Sequence, residues 1–74
     1  MKATIFPEAD ADGKQRVTVG GIVLGYIMPQ GGWWTAISLS GQSISFEAGI
    51  VDAVRAVVAF SYPQLMIEVV EEEA

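Results

Sequence analysis

Apolar and polar positions alternate most clearly over residues 33–40, and this period of two predicts a β-strand. Before it, a β-branched run over residues 16–28 predicts a long strand that its glycines bend or bulge. A shorter strand over residues 3–6 precedes a turn at Asp12 and Gly13, since Asp-Gly is a strong hairpin signal. The first half of the chain is therefore expected to form three strands.

The second half of the chain combines a helix with one or two further strands. Residues 43–46 predict a short fourth strand or an extended lead into a helix, with Ser45 as its cap and Glu47 in its first turn. Pro63 ends the helix, and residues 65–70 alternate as a last strand. Apolar residues at helical spacing predict a stripe that packs on a sheet: Ile50, Val51, Val54, Val57 and Val58.

These elements predict one α+β domain over residues 1–74. We expect a small antiparallel sheet of four or five strands, in the order β-β-β-(β)-α-β, with one α-helix packed on one face. The first and last strands are candidates for pairing, because both lie outside the central hairpins. The sheet is expected to contribute seven residues to the core: Ile5, Val19, Val23, Ile37, Leu39, Ile44 and Phe46.

Size limits how this fold is stabilised. A chain of 74 residues buries only roughly 60% of its unfolded surface, so its stability is marginal. It has neither cysteine nor histidine, which excludes a disulfide framework and a zinc site. Packing and oligomerisation remain as sources of stability, and we expect no metal and no cofactor.

Charge and hydropathy limit the classes of partner that we expect this protein to bind. Nine acidic residues face four cationic ones, so a basic footprint for nucleic acid is absent from the sequence. Glycines and Pro29 interrupt the apolar run before it reaches the roughly 18 residues of a membrane span. No apolar signal segment follows Met1, and we expect a cytoplasmic protein without membrane or direct nucleic-acid contact.

The sequence does not match the residue pattern of a catalytic site. Nucleophilic hydrolysis needs a base beside the nucleophile, and the chain offers no histidine or cysteine for either role. Glu8, Asp10, Asp12 and Gly13 match the start of a calcium loop, but Val19 stands where the bidentate glutamate belongs. We therefore predict a non-enzymatic protein with no catalytic residues, no metal and no small-molecule substrate.

The most informative feature is a segment without charge. No Asp, Glu, Lys or Arg occurs over residues 17–46, which contain most of the predicted sheet. A sheet with one solvated face normally has a polar residue at every second position. The strand over residues 16–28 is instead apolar on both sides, with Leu24, Tyr26 and Met28 on the side opposite the predicted core.

An apolar face that no helix covers needs another occupant. A single helix covers one face of a sheet, and a contiguous apolar patch of several hundred Å² is uncommon on a soluble monomer. We predict a protein–protein interaction module, with a second copy of the chain as the expected partner. The competing interpretation is that the terminal strands and turns wrap over the face.

Two tryptophans follow the double glycine of the predicted turn. Because they are consecutive in a strand, Trp33 and Trp34 point to opposite faces. We assign Trp33 to the core and Trp34 to the interface, where a large aromatic ring is a frequent anchor. The predicted interface thus consists of Trp34, Tyr26, Met28 and Leu24, with Trp33 as a further candidate.

An acidic inhibitor is the alternative function. Asp10, Asp12 and a solvated, flexible acidic tail, Glu71, Glu72 and Glu73 with the terminal alanine, could steer the protein to a basic groove on a nucleic-acid-handling protein. Over residues 17–60, the sheet residues, the Gly-Trp-Trp turn, Phe46 and the alanine-containing helix are broadly similar to minimal sheet-plus-helix domains of phage and bacterial small proteins. That resemblance implies a small phage-type accessory or inhibitor protein that acts by steric blocking. The acidic surplus adds partial nucleic-acid mimicry as an alternative mechanism.

Overall fold

The protein is an α+β domain in which one helix packs on a six-stranded sheet. The computed structural model describes residues 2–9 and 11–71, with the side chains of residues 7–9 and 71 excepted. Its elements, in chain order, are β1 (Lys2–Ala9), β2 (Gln15–Val19), β3 (Ile22–Gln30), β4 (Trp33–Ser38), β5 (Ser43–Glu47), α1 (Ile50–Ser61) and β6 (Glu68–Glu71). The predicted fold class and the single helix are confirmed.

The sheet is mixed, whereas an antiparallel sheet was expected. Its strand order is β5-β4-β3-β2-β1-β6, and each neighbouring pair is antiparallel except β1 and β6. Pairing of the first and last strands is confirmed, with Ala3 beside Val69 in a parallel register. The parallel pair arises because α1 carries the chain back across the sheet from β5 at one edge to β6 at the other.

The predicted strand over residues 16–28 is two strands joined by a tight turn. Gly20 and Gly21 connect β2 to β3 with φ angles of 60° and 81°. A two-residue hairpin turn whose twist suits the flanking strands requires positive φ at both positions, which glycine adopts without strain. Gly31 and Gly32 repeat this solution between β3 and β4, where a turn was expected.

A β-bulge at Leu24 changes which residues share a face. Val17 pairs with Gly25 and Thr18 pairs with Val23, so Leu24 has no partner of its own in β2. The extra residue breaks the alternation, and Leu24 joins the core beneath α1. Leu24 was expected on the same face as Tyr26 and Met28, and Val23 was expected on the core side. Both expectations are wrong, because Leu24 faces α1 and Val23 faces away from it.

The helix begins later than the sequence indicated. Ser45 and Glu47 belong to β5, where they pair with Ala36 and Trp34, and the residue before the helix is Gly49. Ser45 does not cap the helix, and its buried hydroxyl has no hydrogen-bond partner in the described part of the chain. Pairing with β4 satisfies the backbone of this segment and so outweighs the capping signal.

The helix stripe is confirmed except at its start. Val54, Val57 and Val58 are buried together with Ala53, while Val51 is 41% exposed and lies off the stripe. Gly25 of β3 allows the helix to approach closely, since a β-carbon there would lie 2.9 Å from a methyl group of Val57. The helix ends at Ser61, just before Pro63, as predicted.

The core lies between α1 and one face of the sheet. Ile5 and Val19 belong to it, and Ile44 packs against it, as expected. Leu39 and Phe46 are 60% and 64% exposed, so their assignment to the core is wrong. Leu39 lies beyond the end of β4, and Phe46 lies on the far face of the edge strand. Val23 faces away from the helix. Ile37 is buried as expected, at 4% exposed, but it also faces away from the helix, because both residues alternate with core residues along their strands.

Candidate interaction surface

The face of the sheet opposite α1 is called here the open face. Both terminal strands pair within the sheet, so in the described part of the chain no helix or strand lies over this face. This observation contradicts the competing interpretation only for the terminal strands. The turn before β2 does approach the open face, since the Lys14 ammonium lies 5.4 Å from the centre of the Tyr26 ring. The cross-strand registers place these residues on the open face: Lys2, Thr4, Phe6, Arg16, Thr18, Val23, Tyr26, Met28, Gln30, Trp33, Thr35, Ile37, Ser43, Phe46, Glu68 and Val70.

The most exposed apolar side chains of the open face lie on β4 and β5. Trp33 is 54% exposed and Phe46 is 64% exposed. Between them Thr35 pairs with Phe46 on one side and with Met28 on the other. Thr35 itself is fully buried, with its hydroxyl donating to the Gln30 side-chain oxygen at 2.8 Å. Large neighbours therefore shelter a small central residue and form a continuous apolar surface.

Two cations lie against aromatic rings on the same face. The Arg16 guanidinium lies 4.2 Å from the centre of the Phe6 ring, and the Lys14 ammonium lies 5.4 Å from the centre of the Tyr26 ring. Both distances fall within the range of cation–π attraction. Lys14 also lies 4.0 Å from an Asp12 carboxylate oxygen. The inference that the sheet carries no charge on either face therefore fails at β2 and its preceding turn.

A further charged pair lies at the β1–β6 side of the open face. Lys2 and Glu68 are neighbours in the parallel register of these two strands, and both are exposed. Together with Lys14 and Arg16, Lys2 brings three of the four cationic residues of the chain to the open face or its rim. The fourth, Arg55, is exposed on α1. A chain with a net charge of −5 thus presents three of its four cations on one side.

The two tryptophans have exchanged the roles that the sequence suggested. Trp34 is half-buried and packs against the core, on the same side of β4 as the buried Ala36. Trp33 lies on the open face. Alternation along β4 separates the two rings, as predicted, but it does not say which ring faces the helix.

The predicted interface residues divide between two surfaces. Trp33, Tyr26 and Met28 share the open face, whereas Trp34 and Leu24 belong to the helix side. Phe46 was missed, because alternation over residues 43–46 put it on the same side as Ile44, whereas the bulge in β5 interrupts that alternation. Its position on an edge strand, opposite Thr35, is the signal that sets it apart, and that signal exists only once β5 is recognised.

The acidic residues of the alternative hypothesis are not gathered in the described structure. Asp12 lies in the turn before β2, and Glu71 ends β6 in register with Ile5, so the expected tail does not begin at Glu71. The predictions for Asp10, Glu72 and Glu73 fall outside the described residues. Within the described part of the chain, no group of three acidic side chains lies close enough together to hold a metal ion.

Both edges of the sheet are poorly suited to pairing with another strand. The β5 edge is short and is interrupted by a bulge, since Ala36 pairs with Ser45 and Ile37 with Ser43, which leaves Ile44 without a partner. The β6 edge is shorter still and includes two glutamates. Short strands, bulges and charge are the means by which natural sheets block edge-to-edge association. The open face is therefore the better candidate for contact.

A second apolar surface lies at the opposite side of the molecule, near the end of α1. A groove of about 470 Å³ has Ile22 and Tyr62, which are 65% and 51% exposed, in its walls. Its remaining lining residues are Val19, Gly20, Leu24 and Leu65. The groove has no charged lining, and it offers a comparison surface for tests of the open face.

Comparison with protein-family models, with curated proteins and with solved structures finds no match for this chain. Among the described residues, no helix is both long and apolar enough to cross a membrane. The open face is therefore the basis for a proposed function.

Proposed function

We propose that this protein is a non-catalytic protein–protein interaction module that self-associates through its open face. The observation that carries the proposal is the apolar surface around Thr35, where Trp33 and Phe46 project into solvent from strands that no other element of the described chain covers. Tyr26 and Met28 extend this surface towards the centre of the sheet. Three of these residues were expected at an interface, and Phe46 is added.

The energy available from this surface supports a modest affinity. A Trp or Phe ring buries about 150–250 Å² when fully covered, and covering the exposed half is worth roughly 2 kcal/mol at about 25 cal/mol per Å². A pair of copies would cover four such rings, for roughly 8 kcal/mol gross. Association itself costs about 4–15 kcal/mol, so the expected self-association is weak and concentration-dependent.

Sedimentation equilibrium of the wild type and two lysine variants tests this proposal. Phe46→Lys places a charge on the open face, whereas Phe60→Lys places one at a similarly exposed position, 63%, on α1. We expect the wild type and the Phe60→Lys variant to self-associate at high concentration, and the Phe46→Lys variant to stay monomeric. A wild type that remains monomeric at millimolar concentration would refute self-association.

Salt dependence separates apolar docking from the acidic-inhibitor alternative. An apolar contact keeps its affinity at high ionic strength, whereas an electrostatic decoy loses affinity steeply between low and physiological salt. We expect the association constant to change by less than about threefold over this range. A collapse of self-association at physiological salt would contradict an apolar contact.

A further inference from the structure

Charge divides the open face into two halves. The open-face residues of β1, β2 and β6 include Lys2, Arg16 and Glu68, and Lys14 lies at the rim beside them. The open-face residues of β3, β4 and β5, all of which the structure describes, are without charge. This uncharged half is defined by Met28, Trp33, Thr35, Ile37 and Phe46. Tyr26 lies at its boundary, because the Lys14 ammonium lies over the Tyr26 ring.

The division of charge limits where the two-fold axis of a dimer can lie on the open face. In a dimer with a two-fold axis, a residue on the axis meets the same residue of the second copy. An axis near Arg16 would bring two guanidinium groups together while removing both from water, which is unfavourable without a counter-charge. An axis near Thr35 brings together only neutral side chains.

We infer that a second copy of this chain docks on the uncharged half, with the two-fold axis beside Thr35, between Met28 and Phe46. This inference rests on the proposed function, because it takes the open face as the contact surface. The cations then lie towards the rim of the contact, where they stay solvated. Arg16 keeps its position over the Phe6 ring.

The size of the uncharged half sets the strength of this dimer. Six strands spaced about 4.8 Å apart give a face about 29 Å wide, and strands of about six residues make it about 20 Å long. The whole face therefore projects roughly 600 Å², and the uncharged half roughly 300 Å². Stable interfaces bury about 800 Å² per partner, so the dimer belongs to the weak, transient class.

Single cysteines report where the axis lies, because the chain has none of its own. Met28→Cys lies beside the proposed axis, Arg16→Cys lies in the charged half, and Ala59→Cys is an exposed control on α1. The measurement is the rate of disulfide-linked dimer formation under mild oxidation, at one protein concentration and in urea as a baseline. We expect the Met28→Cys variant to cross-link at least tenfold faster than the other two, and this excess to vanish in urea.

The outcomes distinguish the inference from the proposal beneath it. Fastest cross-linking of the Arg16→Cys variant would overturn the axis position while leaving the open face as the contact surface. Fastest cross-linking of the Ala59→Cys variant would overturn both, as would equal slow rates combined with a monomeric wild type in sedimentation. Dilution of the wild type gives a check without substitution: amide NMR shifts should move in β3–β5 and stay fixed in α1, and the reverse would contradict the inference.

Discussion

Trp33 and Trp34 are consecutive in β4, yet one ring lies on the open face and the other packs against the core beneath α1. The two faces of the sheet, one for the core and one open to contact, therefore each receive one ring of this dipeptide. One ring contributes to the stability of the isolated chain, and the other is available for contact.

The two tryptophans should respond differently to truncation. Trp34→Ala removes a ring packed on the core and should lower the free energy of unfolding by roughly 2–4 kcal/mol. Trp33→Ala, at an exposed position, should cost less than about 1 kcal/mol while weakening self-association. Urea unfolding followed by circular dichroism measures both, and equal losses of stability would contradict the assignment.

Gly25 should tolerate no side chain. A β-carbon at this position would overlap with the Ile37 carbonyl oxygen and lie 2.9 Å from a Val57 methyl group, so both contacts would be closer than van der Waals distance. Gly25→Ala should therefore cost about 1–3 kcal/mol or more, since both neighbours belong to the packed interior.

Gly31→Ala is the matched control for this substitution. Its β-carbon would meet no atom within 4 Å, so only the positive φ of 56° opposes it, at about 1–2 kcal/mol. Thermal unfolding should rank the Gly25→Ala variant as the less stable of the two. The opposite ranking would mean that α1 does not approach β3 as closely as described.

The valine stripe of α1 provides a third prediction. Val54→Ala removes two methyl groups from a fully buried side chain and should cost about 2 kcal/mol. Val51→Ala, three residues earlier at a partly exposed position, should change stability by less than about 0.5 kcal/mol because alanine is the better helix former. A substantial loss on Val51→Ala would indicate that this face of the helix is covered.

The contact between Arg16 and Phe6 is open to a double-mutant cycle. Arg16→Gln and Phe6→Leu, made singly and together, should give a coupling free energy of about 0.5–1 kcal/mol, the range for a partly solvated cation–π pair. Arg55→Gln combined with Phe6→Leu is the control, because Arg55 lies on α1. Coupling in the control cycle equal to that of the test cycle would refute a specific contact.

The elements with strong local signals were predictable from sequence. The alternation over β4 and the helix stop before Pro63 both depend on neighbouring residues alone. The pairing of the first and last strands was also inferred, from their place outside the hairpins. Its parallel direction depends on how α1 crosses the sheet, and that crossing is a tertiary property.

The candidate surface was harder to predict because two local irregularities change the phase of alternation. The turn at Gly20 and Gly21 reverses the chain inside what looked like one strand, and the bulge at Leu24 then moves that side chain to the helix side. Neither the turn nor the bulge can be recognised from the sequence pattern, because β3 is apolar on both sides and no polar residue marks where the alternation changes phase. Tyr26 and Met28 were recovered as neighbours, whereas Trp33 was assigned to the core, and Leu24, Trp34 and Phe46 were also misplaced.

The parallel contact between β1 and β6 also bears on the order of folding. Every other strand pair joins consecutive segments through a short connection, so hairpins can assemble one after another from nearby residues. The β1–β6 ladder instead brings Ala3 to Val69 and must close a loop of nearly the whole chain. Until β6 pairs with it, β1 is an edge strand, and half of its backbone hydrogen-bonding groups have no partner strand. The interval before the last strand arrives is therefore when this protein is most vulnerable to misassembly.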